Sequence, residues 1–201
     1  NGKHVGTFGD VGTFSFFPGK NLGAFGDAGA IVTNSKKISQ FCKRYKSHGA
    51  LKKYDHKLSG RNSRLDTINA AVLNIKLKNY KFVLRKRKEL AQIYFKNLKN
   101  IKQIQYFKLD NKNTHSFHQF VIRTKSRDKL QKFLSRNGIQ TMVHYPYMLN
   151  ELNFFKYKNK LKKSNNLGKV ILSLPISEEH TINEINFVSK KIKEFYKINS
   201  K

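Results

Sequence analysis

Hydrophobic and polar positions alternate with two different periods along this chain. Phe14 and Phe16, and beyond a turn Ala30 and Val32, recur at every second residue as half-buried strands do, with Pro18-Gly19 punctuating between them. Ser35 is placed to cap a helix running to about residue 47, closed by His48-Gly49. Residues 52–61 are polar and irregular and read as a loop. Asp66 then caps a helix marked by Ile68, Val72, Ile75 and Leu77, which leads into a second helix over about 82–98. In that second helix Leu90, Ile93, Tyr94 and Leu98 recur at helical spacing. Short strands follow near 104–107, 117–124 and 141–144, with a helix over 128–136 that ends at Asn137-Gly138. A final helix opens on the capping box Thr181 with Glu184 and carries Ile185, Val188, Ile192 and Phe195 along one face. The order is α/β. The second half holds enough periodic apolar residues to close an α+β core of its own; the first 80 residues do not.

One segment carries candidate chemistry. In TFSFFPGKNLGAFGDAGAIVT, residues 13–33, Lys20 is flanked by Phe16, Phe17, Pro18, Leu22 and Phe25, with no acid nearer than Asp10 and Asp27. A lysine in apolar surroundings loses hydration, its pKa falls, and the free amine becomes a nucleophile able to form a Schiff base. The alternative is a solvated turn lysine. Ser15, at the end of the first strand, offers a hydroxyl to a phosphate, and Gly23, Gly26 and Gly29 let backbone approach a ligand closely. A phosphate-bearing aldehyde would use each of these parts.

These residues resemble the DegT/DnrJ/StrS sugar aminotransferases, pyridoxal 5'-phosphate enzymes of the aspartate aminotransferase fold type. Four stretches match in order: GTFGDVGTFSFFPGKNLGAFGDAGAIVT (6–33), SHGALKKYDHKLSGRNSRLDTINAAVL (47–73), RDKLQKFLSRNGIQTMVHYP (127–146) and LSLPISEEHTINEINFV (172–188). The resemblance implies an α/β chain of PLP-dependent transferase fold type I, with an incomplete large domain over 1–80 followed by a small α+β C-terminal domain over 81–201. It implies that Lys20 is the covalent attachment point of pyridoxal 5'-phosphate. Ser15 would bind the cofactor phosphate, and Asn62 would reach the phosphate in the partner subunit of a homodimer with shared sites. Related dehydratases carry histidine in place of the lysine, so Lys20 favours amino transfer. Tyr54 and His56, in the loop before Asn62, are expected to face the nucleotide sugar, as are His144 and Tyr145 in VHYP. Arg64 either binds a phosphate or carboxylate or pairs with Asp66.

The chain also departs from the family pattern. The acidic motif whose aspartate pairs with the pyridine nitrogen is missing, as are the strands around it, and Asp10 and Asp27 do not replace it. The expectation is a fragment spanning about the C-terminal half of an enzyme. For the intact enzyme the implied reaction takes an amino group, usually from glutamate, to a keto-deoxysugar linked to dTDP or UDP. It would serve amino-sugar or cell-surface polysaccharide synthesis in the cytoplasm. The rival readings are a remnant or interaction subunit without activity and a basic nucleic-acid-binding module.

Composition weighs on those rivals. The net charge of +29 would suit a polyanion partner, but the basic residues are scattered and mostly lysine, so nucleic acid is not the expected partner. The nearest clusters are KFVLRKRKEL (81–90), read as a helix with a solvated face, and KYKNKLKKSNN (156–166), read as a loop. The excess charge would attract a nucleotide-sugar diphosphate weakly and salt-dependently. No apolar run approaches the roughly 20 residues of a membrane span. The single cysteine, Cys42, sits with Ile38, Phe41 and Tyr45 at helical spacing and reads as a buried core thiol. His48 reads as a helix-end partner. His115 and His118, in HSFHQF, would point to opposite faces of a strand and carry no carboxylates with them, so no metal site is expected.

Overall fold

The computed structural model describes residues 2–107, 113–155 and 161–198. The chain forms two compact units, Asn1–Lys81 and Phe82–Lys201.

In the first unit β1 (Gly12–Ser15) and β2 (Gly29–Val32) pair antiparallel, with Ser15 opposite Gly29. α1 (Lys36–Tyr45) starts where expected, because Ser35 Oγ accepts from Ile38 N at 3.3 Å. It ends at Tyr45 with Lys46 as its cap, two residues earlier than expected, and the chain turns away at His48 and Gly49, both at positive φ. α2 (Thr67–Lys78) starts after Asp66, although the aspartate side chain makes no capping bond. The unit has almost no interior. Leu73 is the one buried residue of α2, and α1 buries none. Of the hairpin face expected to be half-buried, Phe16 and Ala30 are so, whereas Phe14 and Val32 are exposed, at 36% and 39%. Cys42 is therefore half-buried and not a core thiol: no second apolar layer covers the α1 face within this unit, and Phe41 and Tyr45 stack on each other instead.

The second unit has a continuous core. α3 (Tyr80–Leu98) supplies Leu90, Ala91, Tyr94 and Leu98, all fully buried. β3 (Gln105–Tyr106), β4 (Phe120–Arg123) and β5 (Ile171–Leu174) form an antiparallel sheet in the order β3-β4-β5. Phe120 and Ile122 alternate inward along β4 and lie opposite Leu174 and Leu172 of β5. α4 (Arg127–Arg136) packs on α6 (Ile182–Ile198), closing Leu130, Leu134, Ile185 and Ile192 over the same core. Tyr94 stacks on Phe120 at 4.6 Å and donates its hydroxyl to Pro175 O at 2.8 Å, and burial pushes its pKa up.

The 141–144 strand reduces to a single bridge between Met142 and Ser173. His115 and His118 precede β4 and are not on a strand; His115 Nδ1 instead accepts from Phe117 N at 2.9 Å. Among the described residues no group of three or more His, Cys, Asp or Glu is placed to hold a metal ion. Of the 156–166 run, 156–160 lies outside the described residues, and Lys162 onward is helical, not loop. It belongs to α5 (Lys162–Val170), whose Gly168 is buried against Met148. The solvated face read over 81–90 holds except at Arg87, which is 5% exposed. No helix among the described residues is long and apolar enough to cross a membrane.

The capping box of α6 forms as its sequence predicts. Thr181 N and Oγ1 both donate to Glu184 Oε2, at 2.7 and 2.9 Å, and Glu184 N donates to Thr181 Oγ1. The main-chain bond from Thr181, then its hydroxyl, hold the Glu184 carboxyl below its ordinary range. A depressed carboxylate stabilises the fold above its unfolded pKa and loses that contribution as pH falls through the folded value. Acid denaturation monitored by circular dichroism should therefore show that Glu184→Gln, which stands in for the protonated carboxyl, is less stable than the parent at neutral pH and that the difference closes below about pH 4.3, so the variant's acid limb is shallower. An unchanged acid limb in that variant would show that the box carries no pH dependence.

Candidate active site

Lys20 lies on the loop that joins β1 to β2. Phe17 to Lys20 form a turn closed by Lys20 N donating to Phe17 O at 2.9 Å, with Pro18 at the second position, where its fixed φ suits the bend. The loop closes again where Phe16 N donates to Ala28 O and Ala24 N donates to Phe16 O, each at 2.8 Å. Gly23 is required: a Cβ there would stand 2.3 Å from Pro18 O. Lys20 itself is half-buried, and among the described residues its Nζ makes no hydrogen bond or ion pair. The expected apolar enclosure is not formed within the unit. Phe17 is exposed, and Phe25, 76% exposed, is turned to Lys76, whose Nζ lies 5.2 Å from its ring centre.

Ser15 Oγ accepts from Phe17 N at 3.3 Å. That bond uses an acceptor position and leaves the hydroxyl proton to donate outward. An amine on the loop and a hydroxyl on the strand that leads into it are of the donor types that a phosphate-bearing aldehyde requires.

A second group of candidates is gathered at the C-terminal end of α1. Arg61 N donates to Tyr45 O at 2.7 Å, His48 N to Arg61 O at 3.1 Å and Ser63 N to Lys46 O at 3.0 Å, so residues 61–63 are laced to the helix end. Gly49, at φ +83, sits where a Cβ would meet Leu58 O at 1.7 Å. Asn62 is exposed, and its Oδ1 accepts from Arg64 Nε at 3.2 Å. This orients the amide with its NH2 outward and gives Arg64 a partner in Asn62; no ion pair with Asp66 forms among the described residues. His56 Nδ1 donates to His48 O at 2.8 Å, which fixes the tautomer and leaves Nε2 as an acceptor. His48 thus acts through its main chain, as a helix-end residue. Tyr54 is 82% exposed, at positive φ, beside Lys53.

His144 and Tyr145 belong to the second unit. His144 Nδ1 is 2.8 Å from Ser173 Oγ, a buried hydroxyl on β5, and the Tyr145 ring stands edge-on to the imidazole and is exposed. Sequence reading missed Ser173, and also Asn69 and Lys76 of α2, which bond to the lysine loop. Asn69 and Lys76 bond main-chain groups more than forty residues away, and Ser173 meets the His144 side chain 29 residues away, pairings for which sequence holds no local signal.

The model of the DegT/DnrJ/EryC1/StrS aminotransferase family matches residues 1–193, and the chain belongs to that family. It is 39% identical over 98% of its length to the pleiotropic regulatory protein of Geobacillus stearothermophilus, and covers 55% of that protein. It is 36% identical over 97% of its length to a dTDP-3-amino-3,6-dideoxy-alpha-D-galactopyranose transaminase of Aneurinibacillus thermoaerophilus, covering 54% of it. Among solved structures, DesV of S. venezuelae in complex with a ketimine intermediate superposes with a TM-score of 0.90 at 32% identity, over 96% of this chain and 53% of that one. The chain spans about half the length of the curated relatives it matches. Its fold is α/β, of fold type I of the pyridoxal-phosphate-dependent transferases.

Proposed function

We propose that this chain supplies the lysine-bearing part of an aminotransferase that uses pyridoxal 5'-phosphate to aminate a keto-sugar linked to a nucleotide. The observation that carries this reading is Lys20: an amine without a partner among the described residues, on a loop closed by main-chain bonds whose first strand ends at Ser15, a hydroxyl with its proton left to donate. Lys20 would hold the cofactor through Nζ, and Ser15 Oγ would donate to its phosphate. A bound pyridoxal phosphate supplies carbonyl condensation with amines and withdrawal of electrons from the adjacent carbon. With an amino donor bound, glutamate by family resemblance, the Lys20 Nζ would serve as general base for the donor Cα proton. On the sugar half of the cycle it returns a proton as general acid.

Asn62, with its NH2 directed outward by Arg64, would donate to the phosphate in the partner subunit, making the enzyme a homodimer with shared sites. Tyr54, the acceptor Nε2 of His56, Arg64, His144 and Tyr145 would face the nucleotide sugar. Residues 1–80 would belong to the large domain and 81–201 to the small one. A dTDP- or UDP-hexose is the substrate class favoured by the relatives, among them transaminases named for dTDP- and UDP-linked sugars. Amino-sugar or cell-surface polysaccharide synthesis in the cytoplasm is the corresponding role, in keeping with a chain that carries one cysteine.

The test is chemical. This chain, joined to the remaining half of the relatives' length, is incubated with the cofactor, reduced with borohydride and mapped by peptide. The expected result is an absorbance band near roughly 410–430 nm before reduction and a pyridoxyl label on Lys20. A label on another side chain, or none, overturns the proposal.

A further inference from the structure

Two side chains of α2 grip the backbone of the lysine loop. Asn69 Oδ1 accepts from Phe25 N at 3.1 Å, and Lys76 Nζ donates to Gly23 O at 2.7 Å. The Lys76 ammonium also lies 5.2 Å from the centre of the Phe25 ring, within cation–π range. Seven residues separate Asn69 from Lys76, about two helical turns, so both stand on one face of α2. Leu73, the buried residue of the helix, lies between them on that face. Between the two anchored residues of the loop sits Ala24, 1% exposed, whose N–H closes the loop onto Phe16 O. The closing bond and the two side-chain anchors therefore act on three consecutive residues, 23 to 25. The loop between Phe16 and Ala24, with Lys20 at its middle, hangs from that fixed point.

We propose that Asn69 and Lys76 are positioning residues, a clamp that fixes the 23–25 backbone and through it sets where the Lys20 amine reaches. The contacts favour this role over general stabilisation. Both side chains bind main chain, one to an acceptor and one to a donor, and the ammonium–carbonyl bond is charge-assisted. Neither touches a reacting atom. The clamp rests on the reading of Lys20 as the reacting amine, and its test separates the two.

The variants are Asn69→Leu and Lys76→Met, which remove the acceptor and the donor, and Asn69→Asp and Lys76→Arg, which keep them. Each is made in this chain joined to the remaining half of the relatives' length. Amide exchange at 20–25 should quicken about fivefold to tenfold in the Leu and Met variants, while exchange in the buried turns of α3 and α6 stays as in the parent. The kcat for amino transfer should fall about 10- to 100-fold, with KM for the sugar nucleotide within about twofold, because no sugar contact changes. The Asp and Arg variants should recover most of both losses. Unchanged exchange at 20–25 overturns the clamp, as does an increase spread equally through both units. Failure of the conservative variants to recover also overturns it. If exchange at 20–25 responds as expected but borohydride leaves no label on Lys20 in the parent protein, the clamp stands and the assignment of the amine falls.

Discussion

Lys20→Ala is expected to lower amino transfer at least about 10³-fold, because general acid–base transfer by a positioned side chain alone contributes about 10²- to 10⁴-fold and the covalent tether is lost with it. Lys20→Arg should fare no better: a guanidinium stays protonated at working pH, so it neither condenses nor accepts the donor proton. Added small primary amines should restore part of the Lys20→Ala activity, since they can carry the proton without the tether. The restored rate should remain far below the parent's, because a free amine lacks the effective molarity of a positioned one. Ser15→Ala is the contrasting change, raising the cofactor concentration needed for half-saturation while leaving turnover at saturation closer to the parent's. Single-turnover rates at saturating cofactor would distinguish the two, and a Lys20→Ala protein within tenfold of the parent would remove the amine from its role.

Arg87→Ala should be among the most damaging single changes to stability. Arg87 reaches out of α3 to bind Glu178 Oε2 through Nε at 2.8 Å, while its Nη1 donates to the carbonyls of Phe117 at 3.2 Å, Ile176 at 3.1 Å and His118 at 3.4 Å. One side chain thus ties the helix to the segment entering β4 and to the segment leaving β5. Truncation strands a partly buried carboxylate and three carbonyls at once, and removing one partner of such a pair costs about 3–5 kcal/mol. For a unit of this size that corresponds to a fall in the thermal midpoint on the order of 10–20 °C. Arg87→Lys should lie between, since it keeps the charge without the planar fork. Glu178→Gln should cost less than Arg87→Ala, because it keeps an acceptor for Nε and leaves every carbonyl bonded. Urea denaturation followed at the tyrosines would measure all three, and a loss below about 1 kcal/mol for Arg87→Ala, the scale of an exposed ion pair, would show that solvent already screens the pair.

How far the fold was readable depends on whether its causes are local. Ser35, the Thr181–Glu184 box and Asn137-Gly138 act within four residues, and each begins or ends a helix where expected. The apolar faces of α3 and α6 are periodic, so the core of the second unit follows from them. Arg87 shows the limit, because it sits in a run of cations that looks solvated, and only the fold brings Glu178 and three carbonyls to it. α5 was hidden for a related reason. Its asparagines and Gly168 are weak helix formers, and it is held where Gly168 packs against Met148, a contact between residues far apart in sequence. In the candidate site, the lysine loop was legible because Pro18, Gly23 and Ser15 shape it locally. The enclosure expected around Lys20 was not, since which way Phe25 turns is decided by Lys76 on another element.

The uneven placement of the interior bears on biosynthesis. Ribosomes release a polypeptide amino end first, so the strands flanking Lys20 emerge before Asn69 and Lys76 exist to grip them. At about 5–20 residues per second that interval lasts roughly 2–9 s. Phe17, Phe25 and Ile31 are exposed in the folded unit as well, so what waits for α2 during that interval is not their cover but the anchoring of the Gly23 carbonyl and the Phe25 amide.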